Sequence, residues 1–372
     1  MNIYYDENMP FAAEFFSEFG RATAFSGRNV TAQEISDADV LLVRSITNVN
    51  ESLLSNNENV QFVGTATIGV NHIDQSYLAG RQANFSSAPG CNAISVADYV
   101  LSSLVVLSDR YLFSLRDKTV GIVGAGNTGT RLSEKLAAFG ISFKLCDPIL
   151  EASQDDTREF SSLEEVLACD IVSLHVPLTK EGEHKTFHLL DEQRLRSLSE
   201  DQILINACRG EVIDNQALLA MKKAGHQLKL VLDVWENEPR ILRELVEYTE
   251  LATAHIAGYS LEGKARGTEM LYRALCKQLE IVPSKSITDY LPQPDFSRIE
   301  ICQEIDEKVL KQLVKIVYDV RRDDSIFRQQ LDSHGFDYIR KTYPARREFS
   351  SLFVDVKNEA NATVPQALGF RV

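Results

Sequence analysis

Cysteine is sparse and follows no ligand pattern: six residues, at 91, 146, 169, 208, 276 and 302, with no CxxC pair. That argues against a disulfide framework and against a structural zinc site. A reducing cytoplasm is the natural setting for such a chain. Long apolar runs are missing too. No uninterrupted stretch approaches the ~18 residues of a membrane span. The most apolar segment, Ile94 to Phe113, is broken by Asp98, Asp109 and Arg110. The opening MNIYYDENMP has neither a basic n-region nor an apolar h-region, so no secretory signal is visible. Bases are in deficit, with 39 Lys and Arg against 53 Asp and Glu and a formal charge of −14. A surface of that sign repels phosphate backbones and anionic lipid, so no nucleic acid and no membrane are expected as partners. What remains is ordinary globular composition, 44% hydrophobic and 25% charged over 372 residues, enough for two or three domains.

The chain alternates short apolar runs with helical patterns. Asn2–Tyr5, Val40–Val43 and Phe62–Gly64 read as strands, and Phe11, Phe15, Phe16 and Phe19 share a helical face that stops at Gly20. A long helix is expected from about Ala93 to Leu112. A second series follows, with strands at Thr119–Val123, Ser142–Cys146, Asp170–Leu174, Gln202–Asn206, Leu228–Leu232 and Leu251–Ala254, and helices between them. Continuous apolar strands alternating with helices predict an α/β fold with doubly wound parallel sheets. Pro283, Pro292 and Pro294 then punctuate the chain and mark a boundary. Beyond it Ile305, Val309, Leu313 and Val317 predict a helix and Phe349–Val356 a strand, together a small α+β unit.

Between the first strand of the second series and its helix lies Gly124-x-Gly126-x-x-Gly129. The first glycine permits a tight turn, the second lets a pyrophosphate approach the backbone, and the third lets helix and strand pack closely. Gly126, Asn127 and Thr128 then open the helix, whose first amides face an anion favourably. Asp147 ends the next strand, where a carboxylate accepts ribose hydroxyls and repels a 2′-phosphate. NAD is therefore expected rather than NADP.

Three polar residues follow predicted strands at the ligand-binding edge: Arg209, Glu238 and His255. Hydride transfer from a hydroxyl carbon needs a base for the hydroxyl proton, and histidine suits that task. A carboxylate beside it stabilises the imidazolium. An arginine clamps a substrate carboxylate bidentately. Each residue alone is as readily a salt bridge or a cap, because spacing in sequence does not prove proximity. Ser45 and Thr67 likewise follow strands and can donate to substrate oxygens or cap turns, and Asp233 can accept from a nicotinamide amide or cap a turn.

The order Gly124-x-Gly126-x-x-Gly129, Asp147, Arg209, Glu238, His255 resembles the D-isomer-specific 2-hydroxyacid dehydrogenase family. The strings His175-Val-Pro-Leu-Thr, Asn206-Ala-Cys-Arg-Gly-Glu, Asp233-Val-Trp-Glu-Asn-Glu-Pro and Thr253-Ala-His-Ile-Ala-Gly support it. Val43-Arg-Ser-Ile-Thr-Asn-Val-Asn50, Ala88-Pro-Gly-Cys-Asn and the tail Phe336-Asp-Tyr-Ile-Arg-Lys are similar to a narrower branch of that family, which acts on a phosphorylated 2-hydroxy acid. The resemblance implies two Rossmann-like domains with a catalytic cleft between them: a substrate-binding domain at 1–94, completed by about 256–282, and an NAD-binding domain at 95–255. It further implies a C-terminal dimerisation domain at 283–372, hence a homodimer. Ser45, Thr67 and Tyr259 would touch substrate; His175, Ala207, Cys208, Arg209, Asp233 and Gly258 would join the glycine loop and Asp147 around NAD. Arg209, Glu238 and His255 would be catalytic.

Other signals carry less. His175, His184 and His188 lie close in sequence, but no metal is expected from them. Cys208 is expected to contribute backbone rather than a nucleophile. Asn361-Ala-Thr363 fits a glycosylation sequon that a cytoplasmic chain would never expose to the transferase. The pairs Arg321-Arg322 and Arg346-Arg347 read as solvated or interface charges. Two alternatives stay open: another member of the family, such as a 3-phosphoglycerate dehydrogenase with a regulatory tail, and a non-catalytic NAD-sensing corepressor.

Overall fold

The N-terminal part forms the parallel strands β1 (Asn2–Asp6), β2 (Arg21–Phe25), β3 (Val40–Val43), β4 (Phe62–Thr65) and β5 (Asn84–Ser87) in the computed structural model of the chain. It describes residues 1–153, 155–357 and 362–372; Asn361 of the sequon lies outside them. Contacts divide the chain into two units, Met1–Asn92 with Tyr259–Pro292 and Ala93–Gly258 with Gln293–Val372.

In the first unit the strand order is β2-β1-β3-β4-β5. β3 and β4 are buried at every position, as central strands covered on both faces must be. The helix Leu261–Gln278 returns to this sheet, capped by Ser260, whose Oγ accepts from Gly263 N at 2.8 Å. Its Leu271, Tyr272, Leu275 and Cys276 share a cluster with Phe15, Phe16 and Leu42. Gly64 makes the close approach possible, because a Cβ there would already be 3.0 Å from Leu271 Cδ1.

In the second unit six parallel strands follow the order β11-β10-β9-β8-β6-β7. They are β6 (Thr119–Val123), β7 (Ser142–Cys146), β8 (Ile171–Leu174), β9 (Ile203–Asn206), β10 (Lys229–Leu232) and β11 (Leu251–Ala252). Since all run the same way, their C-terminal ends share one edge of the sheet, with the order reversing at β6. The loops that leave this edge carry the glycine fingerprint, Asp147, His175, Arg209, Glu238 and His255.

The C-terminal segment has β12 (Arg298–Ile301) paired in parallel with β13 (Phe353–Val356), and helices at Glu307–Val317, Arg321–His334 and Phe336–Lys341. The strand expected from Phe349 starts later, because Phe349–Ser351 forms a 3-10 turn. Phe327, Leu331, Phe336 and Ile339 join the cluster that contains Trp235, Ala252 and Ala254, so this segment shares the core of the second unit. Arg346 departs from the solvated reading. It is only 2% exposed, with its guanidinium 4.2 Å from the Tyr318 ring centroid. Backbone carbonyls and an aromatic face replace the water it gives up.

Candidate active site

The glycine loop has the geometry its residues predict. Gly124 sits at φ 94°, and a Cβ there would be 2.6 Å from the His175 carbonyl carbon. A Cβ on Gly129 would lie 2.1 Å from Gly124 O. Gly126 differs: a Cβ there meets nothing within 4 Å. The contacts of Gly124 and Gly129 close the turn, while Gly126 faces open space. Gly126 caps the Asn127–Phe139 helix without a side-chain hydrogen bond, so the first-turn amides stay available to an anion.

Asp147 at the end of β7 accepts from Ala125 N at 2.9 Å through Oδ2 and from Leu150 N at 3.2 Å through Oδ1. Each oxygen retains a lone pair for a further donor. Arg158, which sequence reasoning missed, braces the same loop by donating to Ala125 O at 3.0 Å and Thr130 Oγ1 at 2.9 Å. Its hydrogen bonds hold Asp156 down to about 2. No motif marks Arg158. His175 follows β8; burial pushes its imidazole down to about 3, so the ring is neutral, and Nε2 meets Ser173 Oγ at 2.8 Å. These residues fit a dinucleotide: an open glycine, uncapped helix amides and a carboxylate with acceptor capacity left.

Arg209, Glu238 and His255 follow β9, β10 and β11, which are neighbours in the sheet. His255 Nδ1 lies 2.7 Å from Glu238 Oε2. A carboxylate there accepts the Nδ1 hydrogen and leaves Nε2 as the basic nitrogen. Nε2 has no hydrogen bond among the described residues, and the side chain is 31% exposed. Glu238 Oε1 is fixed by Trp235 N at 3.0 Å. His255 adopts φ 56°, uncommon for a side chain of this kind, and its N–H donates to Asp233 O at 2.6 Å.

The turn around His255 is organised by Asp233. Its carboxylate accepts from Thr253 Oγ1 and Ile256 N, both at 2.7 Å, and from Ala257 N at 3.0 Å. Burial raises the Asp233 carboxyl, and the neighbouring His255 and these hydrogen bonds oppose the rise. The group thus caps a turn twenty residues downstream. Cys208 is inert: burial pushes its thiol up to about 11, and Sγ donates to Asn206 Oδ1 at 3.2 Å. Arg209 is exposed, with Nη1 donating to Cys208 O at 2.6 Å.

Gly210 joins the loops of β9 and β10. A Cβ at this position would lie 1.9 Å from the Trp235 carbonyl carbon, a backbone atom that cannot yield. Gly210→Ala is therefore expected to cost about 1–3 kcal/mol. Thermal unfolding should show a midpoint lowered by several degrees, with turnover reduced because Arg209 and Glu238 flank the contact. An unchanged midpoint would refute the close packing.

Ser45, Thr67 and Tyr259 belong to the first unit. Ser45 is exposed just past β3. Thr67, past β4, is tied to Thr65 Oγ1 at 2.8 Å and donates to Gly69 O at 3.0 Å. Lys264 Nζ sits 4.6 Å from the Tyr259 ring centroid. The three histidines close in sequence do not assemble. His188 instead meets Glu236 Oε1 at 2.6 Å, with Asp214 Oδ2 at 3.8 Å. Glu236 Oε2 accepts from Asn215 N at 2.9 Å, so the group braces the loop that ends in Glu238.

Residues 103–257 match the D-isomer specific 2-hydroxyacid dehydrogenase NAD binding domain, and residues 290–369 match a domain of unknown function (DUF3410). An erythronate-4-phosphate dehydrogenase of Colwellia psychrerythraea is 59% identical, covering 100% of this chain and 99% of its own. One of Tolumonas auensis is 52% identical over the same shares. Among solved structures, D-lactate dehydrogenase of Aquifex aeolicus, complexed with NAD and lactic acid, matches with a TM-score of 0.60 and 24% identity, over 75% of this chain and 96% of that one. NAD+-bound 3-phosphoglycerate dehydrogenase of Entamoeba histolytica gives 0.62 and 22%, over 75% and 95%. With full-length relatives above half identity and the dinucleotide-binding unit matched, this chain belongs to the D-isomer-specific 2-hydroxyacid dehydrogenase family.

Proposed function

We propose that the chain oxidises the C2 hydroxyl of 4-phospho-D-erythronate to 2-oxo-3-hydroxy-4-phosphobutanoate with NAD as acceptor, a step of vitamin B6 biosynthesis. The observation that carries this reading is the His255–Glu238 contact at 2.7 Å, on the sheet edge that also bears the glycine loop. The end-to-end similarity to erythronate-4-phosphate dehydrogenases supports the choice of substrate.

His255 Nε2 takes the hydroxyl proton while C2 gives up its hydride and becomes a ketone. Bound NAD supplies the hydride acceptor. Glu238 fixes the Nδ1–H and stabilises the imidazolium that forms. Arg209 holds the C1 carboxylate and the C2 oxygen through its planar fork. Gly124, Gly126, Asn127, Thr128, Gly129 and Asp147, with His175, Ala207, Cys208, Arg209, Asp233 and Gly258, line the cofactor. Ser45, Thr67 and Tyr259 bind substrate. The chain works in the cytoplasm as a homodimer formed through 283–372.

The test is NADH absorbance with purified protein and a panel of 2-hydroxy acids, run in reverse with the 2-oxo acid as well. Turnover is expected with 4-phospho-D-erythronate and NAD, and much less with NADP because of Asp147. Preference for 3-phosphoglycerate would replace the substrate; no turnover in either direction would favour an NAD sensor.

A further inference from the structure

The segment that matches a domain of unknown function touches the loops that carry Glu238 and His255. β11 is an edge strand. Beyond it the N–H groups of Thr253 and His255 point inward, to Leu232 O at 3.0 Å and Asp233 O at 2.6 Å. The N–H of Ala252 has no strand to meet and donates instead to Asp324 Oδ1 at 2.8 Å. An outward edge N–H ordinarily meets water; here a carboxylate from the first turn of the Arg321–His334 helix receives it. Arg328 Nε, one turn on, donates to the same Asp324 oxygen at 2.8 Å. Its guanidinium also donates to Val246 O at 3.0 Å and Thr249 O at 2.9 Å, just ahead of β11.

A second contact reaches Glu238. Phe327 stacks on Trp235 with centroids 5.7 Å apart. Trp235 in turn fixes Glu238 through its backbone N–H, and its indole Nε1 donates to Thr253 O at 2.9 Å. A third contact reaches the far side of the His255 turn. Arg346 Nη2 donates to Ala257 O at 2.6 Å and to Ser95 O at 2.8 Å. Asp233 grips that turn by its N–H groups, and Arg346 grips it by a carbonyl.

We infer that the C-terminal segment positions the His255–Glu238 pair from within the same chain, with Asp324, Phe327 and Arg346 as positioning residues. This rests on the catalytic reading of that pair and adds to it. None of the three touches the reacting atoms. Each fixes backbone or ring on one side of the imidazole–carboxylate contact, and small misplacements of such a contact cost rate steeply.

The test uses the full chain. Asp324→Ala is expected to lower kcat by about tenfold, with KM for the hydroxy acid and Kd for NADH held within about twofold. Asp324→Asn keeps an oxygen acceptor for Ala252 N–H and should recover most of kcat. Arg346→Lys keeps the buried charge but loses the guanidinium fork, and should lower kcat similarly. The inference is overturned if the folded variants turn over like the parent, if KM and Kd rise in step with the loss, or if Asn is no better than Ala. Should Asp324→Ala not fold, Asp324→Asn and Arg346→Lys decide between them: normal turnover in Arg346→Lys overturns the inference, and loss there alone supports it. A parent protein without turnover would instead defeat the catalytic reading itself.

Discussion

Replacing His255 by alanine is expected to lower kcat by roughly 10²–10⁴, the usual worth of a positioned acid–base group. NADH binding, followed by fluorescence titration, should persist, because the glycine loop and Asp147 leave from other strands. One complication is built into the backbone. His255 sits at φ 56°, and alanine there carries strain that histidine is already held in by Asp233. Asparagine tolerates this conformation better. His255→Asn therefore separates chemistry from backbone: it should fold as well as the parent and still lose turnover on the same scale. Parent-like turnover in the asparagine variant would end the acid–base assignment.

Why these particular residues could be found in advance, and others not, follows from what each signal depends on. β6, β9 and β10 are buried runs between helices, so their apolar sequences read directly as strands. β2 and β5 were silent because they are edges: RATAF and NFSS need no continuous apolar face. The glycine fingerprint was legible because Gly124 and Gly129 answer local steric demands and Gly126 leaves the loop open to a ligand. The His255–Glu238 contact was not, since it depends on β10 and β11 lying side by side, a tertiary fact that spacing cannot supply. Arg346 was misread for a related reason. A charged residue is exposed by default, and its partners at Ser95 and Ala257 are distant in sequence. The same distance hid the role of Asp233, whose carboxylate organises the turn that presents His255.

Lys135→Met should give the largest loss of stability. Lys135 Nζ lies 2.8 Å from Asp98 Oδ1, with both side chains buried, and 4.6 Å from the Phe349 ring centroid. The ammonium also donates to Leu368 O, so one cation links the helices Ala93–Tyr111 and Asn127–Phe139 to the C-terminal tail. Its removal leaves a carboxylate buried without its partner, which costs about 3–5 kcal/mol. Asp98 is already pushed up to about 6 by burial, with Lys135 and Arg346 opposing the shift and Glu348 adding to it. A carboxyl raised in the folded state binds more protons there than when unfolded. Its contribution to stability therefore falls as pH rises from the unfolded value of about 4 to the folded one. Without Lys135 that folded value climbs further, so denaturant melts should show a smaller loss at pH ~5 than at pH ~8, where Asp98 must be charged or take up a proton at a cost. Asp98→Asn added to Lys135→Met removes the stranded charge while keeping an acceptor for Phe349 N, which approaches Asp98 Oδ2 at 3.4 Å. The double variant should regain most of the stability at pH ~8 and little at pH ~5. Equal losses in single and double variants at both values would show that Lys135 acts by packing against Phe349, not by neutralising Asp98.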